Sequence, residues 1–376
     1  MTERIRLTDD FDGLAPAPWH ELTQGRPTLR LEVLQTLVRS SSEPMRLEAF
    51  LLEDAAGLAA AAVFRHFPDR QAVNPMDRFL CGRGMRLAQA LGCSTAPLML
   101  FSPPHGSGCG IAVRPGTPIA AAHGILHRLL DEIESCAEAR GCGIAVRSVI
   151  ADDDAVLASV LTNRGYGATV DAPTTRLAIQ WQDLDGYVEH LRRHSRSAAR
   201  TVRYEIRHNE RSGVVIRRLP PDEAHARALD ALARSHFKGK NGVEPPYGPE
   251  FLPRLLCGLP EDFLVFEARR REQVLGMIGL VRSGTVAWAA WVGLVDQDQR
   301  RDFTYFNLCF YQVAARAASL GIRRLLYGNA AYRAKLIRGC ELVVHPVFYR
   351  PRSTVARALA PPSLRIHRAW YRRKFA

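Results

Sequence analysis

No stretch of this chain stays apolar long enough to cross a bilayer. The longest uninterrupted apolar runs, residues 55–64 and 286–295, are ten residues each, roughly half of the 18 or more that a spanning helix needs. The opening MTERIRLTDD puts charge where a secretory leader carries its apolar core, which predicts a soluble, cytoplasmic protein. Eight cysteines (81, 93, 109, 136, 142, 257, 309 and 340) form no C-x-x-C pair and have no histidine at finger-like spacing. Neither a zinc site nor a disulfide framework is expected, and buried thiols are. H-E-x-x-H and G-x-x-x-x-G-K-[ST] are both missing, which removes the commonest metalloprotease and nucleotide-hydrolase signatures. The expectation is therefore no metal and no resident cofactor. Lysine is scarce as well: of 51 basic residues only Lys238, Lys240, Lys335 and Lys374 are lysines. In so arginine-biased a chain a lysine persists where a compact, rotatable ammonium is needed, and this singles out Lys335.

What is present is ordinary globular material. The 376 residues are 47% apolar and 24% charged, enough for two domains. The net charge of +13 is local. Residues 189–220 hold nine Arg against three Glu, and residues 350–376 hold seven Arg and one Lys against no acid, leaving the rest close to neutral. Concentrated positive charge attracts phosphate-rich partners such as RNA, lipid head groups or a phosphorylated small molecule. It reads equally as a solvated face until geometry is considered.

In EHLRRHSRSAARTVRYEIRHNERSG no Pro or Gly interrupts before Gly213, and Arg196, Arg200, Arg203 and Arg207 follow at steps of four, three and four. They form one stripe of a helix, with Leu191, Ala198, Val202 and Ile206 on another face. Like charges on neighbouring turns repel by a few tenths of a kcal/mol per pair, a cost that anions in the stripe would relieve. The basic tail mixes Trp370, Tyr371 and Phe375 with arginines, which suits RNA stacking, peripheral contact with an anionic membrane, or a solubilising tail.

Strands and helices alternate in a mixed α/β (α+β) pattern. Residues 47–66 read as a strand pair, 124–140 as a helix closed by Gly141, 143–150 as a strand, 152–164 as a helix stopped by Gly165, and 175–181 as a strand. The second half follows suit: strands over 263–270, 274–282 and 285–295, a helix over 305–320, a strand over 322–328, a helix over 330–339 and a strand over 341–350. The recurrence reads as two copies of one fold. The expected division is 1–182 and 221–352 for the two copies, 183–220 for the basic helix and linking strand, and 353–376 for the tail.

Two segments resemble a known family. YVEHLRRHSRSAARTVRYEIRHNERSGVVIRRL (187–219) is similar to the basic helix, glycine and strand of the Fem-type aminoacyltransferases that build peptidoglycan bridges. YGNAAYRAKLIRGCEL (327–342) resembles their terminal block of an aromatic residue, here Tyr332, a lysine and a glycine. The resemblance spans about residues 15–350 and implies a tandem double GNAT fold, each copy a mixed, mainly antiparallel sheet flanked by helices. It implies Lys335 near the acyl ester, and Arg196, Arg200 and Arg203 toward phosphates of a donor or substrate. GNAT enzymes that use acyl-CoA normally follow the central strand with a Q/R-x-x-G-x-G/A loop whose amides hold the pyrophosphate. Here that stretch is DQDQRRDFTYF, without glycine; Fem-type enzymes also lack the loop.

Acyl transfer to an amine requires a neutral nucleophile and help for the tetrahedral oxyanion, which Lys335 can supply. No Ser-His-Asp or Cys-His nucleophile is visible, and an activated ester donor does not need one. Asp298, Asp302 and Tyr305 follow the central strand and are the candidates for proton transfer. His236, Lys238 and Lys240 in RSHFKGKNG are candidates for touching an anionic ligand, alongside Arg207. Three functional readings result. The first is transfer of an aminoacyl group from aminoacyl-tRNA to an amine of a small metabolite or cell-wall precursor. The second is acyl-CoA-dependent N-acylation. The third is a non-catalytic RNA- or anionic-lipid-binding protein on a transferase fold.

Overall fold

The computed structural model describes residues 3–40, 46–68, 76, 95–106, 108–150, 154–245, 247–295, 302–352, 364–365 and 368–369. Almost all of the basic tail, including its three aromatic residues, lies outside them. The chain forms two compact units, residues 1–23, 45–173 and 343–376 in one, residues 24–44 and 174–342 in the other. The units are not contiguous stretches: 24–44 and 343–352 each join the unit opposite to their neighbours in a division by chain order.

The first unit is a sheet in the order β1-β2-β3-β4-β6-β13. Its strands are β1 (Arg4–Thr8), β2 (Leu47–Asp54), β3 (Gly57–Phe67), β4 (Leu98–Phe101), β6 (Gly143–Val146) and β13 (Glu341–Arg350), with β5 (Ile111–Val113) paired to β3. Of the pairings with a defined register all are antiparallel except β4 with β6. Helices α3 (Ile119–Ala139) and α4 (Ala155–Asn163) cover one face. Ile125, Leu129, Leu130 and Ile133 recur at helical spacing and pack with Phe50, Phe64 and Phe101 into its core. The short helix α1 (Pro16–Leu22) packs on β3.

The second unit follows the same plan. Its strands are β7 (Gly167–Ala178), β12 (Arg324–Tyr327), β11 (Val286–Leu294), β10 (Gln273–Ser283), β9 (Phe263–Arg270) and β8 (Val214–Leu219), in that order across the sheet. Again the one parallel pair, β11 with β12, sits among antiparallel ones. The two copies exchange their last strands: β6 of the first copy pairs with β13, and β12 of the second pairs with β7. This exchange explains why residues 343–352 join the first unit and residues 174–178 the second.

Both faces of the second sheet are covered, so β9 reads FLVFEARR, apolar without alternation. Leu264 and Phe266 face α5 (Leu184–His194) and α6 (Arg196–Arg211), whereas Phe263 and Val265 face α7 (Glu223–Asn241) and α8 (Phe251–Gly258). Helix α2 (Leu31–Ser40) packs on α8. A Cβ at Gly293 would lie 2.4 Å from Leu232 Cβ and 2.6 Å from Leu232 backbone carbon, so glycine is what lets α7 press onto β11. β11 and β12 pair only over Val286–Trp288 with Arg324–Leu326, after which β11 continues to Leu294 on β10 alone. The helix after β11, α9 (304–317), contains a π-helical turn at Asn307–Tyr311. The last helix, α10 (Tyr332–Ile337), ends before Gly339, which holds φ +81°.

The basic segment differs from expectation in one respect. Its uninterrupted helical pattern breaks at Ser195, whose backbone is extended (φ −157°, ψ 110°) and whose hydroxyl accepts from the amide of Ala198 at 3.2 Å. An N-capping serine thus starts a new helix between Arg193 and Arg196, and no proline or glycine was needed to do it.

Candidate functional site

Helix α6 divides its residues strictly. Ala198, Ala199, Val202, Glu205, Ile206 and Asn209 are buried, while Arg196, Arg200, Arg203, Arg207 and Arg211 are exposed. The exposed row, with Arg192 of α5, Tyr204 and His208, lines an open depression of about 530 Å³ floored by Ala199. At 1.5 Å per residue, Arg196 to Arg211 spans about 22 Å of helix. Glu189, the acid nearest its start, is taken by Arg192 at 2.7 Å. Among the described residues no carboxylate pairs with Arg196, Arg200, Arg203, Arg207 or Arg211. The result is a run of guanidiniums with open hydrogen-bonding capacity, suited to phosphate or carboxylate.

The buried face of α6 carries a second, quite different charge. Glu205 receives Arg338 Nη2 at 2.5 Å, and the Tyr311 hydroxyl donates to the same carboxylate oxygen. Arg338 Nε reaches the Tyr311 oxygen at 2.8 Å, and its guanidinium lies 3.5 Å from the centroid of the Phe306 ring. The Tyr187 hydroxyl donates to the Arg338 carbonyl at 2.9 Å, and Asn307 Nδ2 donates to the Glu205 carbonyl at 3.2 Å. The Arg338 and Glu205 side chains are only 3% and 8% exposed, so each charge depends on the other for solvation. The network ties α5, α6, α9 and the end of α10 together.

Lys335, three residues before Arg338, is 5% exposed. Its Nζ donates to the Gly328 carbonyl at 2.5 Å and stands 5.9 Å from the centroid of the Tyr327 ring, whose hydroxyl donates to the Cys309 carbonyl at 3.0 Å. Among the described residues no carboxylate pairs with it. Burial pulls its pKa down to about 8, with the nearby Lys240 ammonium adding to the fall and the Cys340 and Cys309 thiols opposing it. The ammonium form still prevails at neutral pH, with two N–H donors beyond the bond to Gly328.

The other candidates fall into place around this frame. Lys240, at the end of α7, is within electrostatic reach of Lys335. His236 on the same helix is half-buried, and burial together with Lys240 lowers its pKa, so it is neutral at pH 7. Lys238 is exposed and paired with Glu244 at 2.6 Å. Tyr332 begins α10 and is half-buried. Tyr305 packs on Phe306 and Phe310, and burial raises its hydroxyl well above the ordinary tyrosine value, which keeps it protonated near neutrality. Asp298 lies outside the described residues. Asp302 is a structural group: it pairs with Arg270 and accepts from the Thr304 amide at 3.1 Å and hydroxyl at 2.7 Å. Lys335 does not line the arginine depression; the row points outward from α6 while Lys335 turns inward to Gly328.

Sequence reasoning missed Glu205, Arg338, Tyr311 and Tyr187, and also the aromatic group of Tyr204, His208 and Phe303 beside the row. One signal was available. Glu205 and Asn209 sit on the apolar stripe of α6, and a polar residue there must find a buried partner. Asn209 Nδ2 indeed donates to the Asp302 carbonyl at 2.9 Å.

Comparison with known proteins agrees with this architecture. Residues 196–336 match the model of the acetyltransferase (GNAT) domain. The crystal structure of FemX is similar over 95% of this chain and 99% of its own, with a TM-score of 0.58 at 10% identity. The C-terminal domain of a putative lysylphosphatidylglycerol synthetase from Agrobacterium fabrum is similar over 93% of this chain and 94% of its own (TM-score 0.55, 9% identity). A conserved protein of unknown function from Bacteroides thetaiotaomicron is similar over 92% and 100% (TM-score 0.55, 11% identity). No curated protein matches the chain in sequence. The fold is therefore a tandem of two GNAT-like copies, similar to the fold of FemX. Among the described residues no group of His, Cys, Asp and Glu is placed to hold a metal ion, and no helix is long and apolar enough to cross a membrane.

Proposed function

We propose that this protein is an N-acyltransferase that moves an aminoacyl group from aminoacyl-tRNA to an amine of a small metabolite or cell-wall precursor. The observation that carries the donor assignment is the unpaired arginine row of α6. A coenzyme A molecule offers a few clustered phosphates, whereas a row of about 22 Å matches a ligand whose phosphates continue along a chain. The glycine-free stretch after β11 supports the same reading, since it lacks the loop that holds a CoA pyrophosphate.

In this reaction the acceptor's neutral amine attacks the ester carbonyl. The new C–N bond forms, the C–O bond to the ribose breaks, and a proton passes from the amine to the departing ribose hydroxyl. Lys335 supplies positive charge for the oxyanion in between, and the Glu205–Arg338 network fixes the chain that carries it. One good oxyanion donor is worth roughly 3–4 kcal/mol. Treating a purified transfer assay with RNase tests the donor: activity must vanish, and activity that persists with an acyl-CoA present refutes the tRNA reading. Acyl-CoA-dependent N-acylation is the competing reading, and the GNAT acetyltransferase match over 196–336 favours it.

A further inference from the structure

We propose that Tyr204 is a stacking platform for a nucleobase, so that the depression along α6 takes a nucleotide ligand with its phosphates on the arginines and a base on the ring. The inference rests on the reading of the donor as an aminoacyl-tRNA and names the part of that ligand which the site grips.

Tyr204 is 59% exposed, the one large apolar side chain left exposed on α6. It stands in the middle of the basic row, with Arg200, Arg203, Arg207 and His208 lining the same depression. Its position is fixed by two other rings. His208 lies 5.8 Å away, tilted at 35°, and Phe303 meets Tyr204 edge-on at 5.8 Å and 74°, while Phe303 and His208 are themselves 5.4 Å apart. Phe303 belongs to the segment that Asn209 holds through the Asp302 carbonyl. A ring held this way loses little freedom on binding. Among the described residues no guanidinium lies over the Tyr204 ring and no group bonds its hydroxyl, so its surface is available to a ligand.

The surroundings select the ligand. Bare phosphate would use the arginines and gain nothing from a ring. A lipid surface needs an apolar face to insert, but the apolar face of α6 (Ala198, Val202, Ile206) is buried. A nucleotide uses both features at once, because every base has a π-face and every link carries a phosphate. RNA and coenzyme A share this chemistry, and the length of the row favours RNA.

The test is fluorescence anisotropy with the full-length protein and a short unstructured RNA, an abasic sugar–phosphate chain of equal length, free CoA as competitor, and vesicles containing phosphatidylglycerol. The expected result is tighter binding of RNA than of the abasic chain. Tyr204→Ala weakens RNA binding by about fivefold or more and leaves abasic binding and the salt dependence unchanged, while Tyr204→Phe restores it. Arg200→Ala weakens both ligands and reduces the slope of log K against log salt by about 0.7. An unchanged RNA affinity in Tyr204→Ala, equal binding of RNA and the abasic chain, or displacement of the RNA by vesicles alone overturns the proposal. Competition by CoA that depends on Tyr204 upholds the stacking site, and the donor is then decided by the RNase-treated transfer assay. Tyr204-dependent RNA binding alongside RNase-resistant transfer upholds the stacking site and refutes the tRNA donor, so the two readings fail separately.

Discussion

Arg338 Nη2 lies 2.5 Å from Glu205 Oε2 in the interior of the second unit, and this pair joins the helix that bears the arginine row to the segment that bears Lys335. One helix, α6, therefore presents cations outward and an anion inward. Arg338→Ala leaves the Glu205 carboxylate buried without its counter-ion, and it should destabilise the protein by about 3–5 kcal/mol. Glu205→Leu with Arg338→Met should cost much less than the sum of the single changes, as a double-mutant cycle by urea unfolding will show.

Lys335 makes stability depend on alkaline pH in a definite direction. Its pKa is about 8 in the folded chain against 10.5 for an ordinary lysine. Below about 8 both states carry the ammonium, and its burial cost is present in full. Between about 8 and 10.5 the folded state gives up the proton first, so folding stability rises with pH across that window. Lys335→Met should flatten this part of the curve when thermal midpoints are compared at pH 7 and pH 10.

The same titration has the opposite effect on turnover. If the ammonium stabilises the oxyanion, kcat falls as pH rises through about 8. Lys335→Ala should lower kcat by about a hundredfold or more and abolish that limb. A limb that rises instead would mean that the neutral amine is the working form.

Tyr305→Phe should leave the pH profile of kcat unaltered, because burial keeps this hydroxyl protonated throughout the neutral range. A lost limb in this variant would restore Tyr305 as a proton acceptor.

The arginine row trades stability for binding. Arg203→Gln relieves repulsion from Arg200 and Arg207, and so should leave stability unchanged or raise it by a few tenths of a kcal/mol. Its KM for the donor should rise, most clearly at low salt. Unfolding curves and initial rates on one preparation check both halves.

Much of this was legible in the sequence because local patterns carried it. The strands at 263–270 and 341–350 and the glycine stops at Gly165 and Gly321 come from runs and turn chemistry that tertiary context did not override. The outward face of α6 could be read from the spacing of Arg196, Arg200, Arg203 and Arg207 alone. What could not be read depends on partners far apart in the chain. Glu205 and Arg338 are separated by 133 residues and meet only because the segment after α10 returns to the buried face of α6. The exchange of β7 and β13 between copies is likewise a pairing choice that neither strand's own composition encodes. Asp302 reads in the sequence as a candidate for proton transfer, and its engagement by Arg270 and Thr304 could not be read there because Arg270 lies 32 residues away in the chain.

The most direct measurement is single-turnover transfer of a radiolabelled amino acid from charged tRNA to a panel of small and cell-wall-precursor amines, run with wild type and Lys335→Ala. The account predicts an RNase-sensitive amide product from wild type and at most about one hundredth of that rate from the variant. Equal rates from both proteins, or product formed only when an acyl-CoA replaces the charged tRNA, would contradict it.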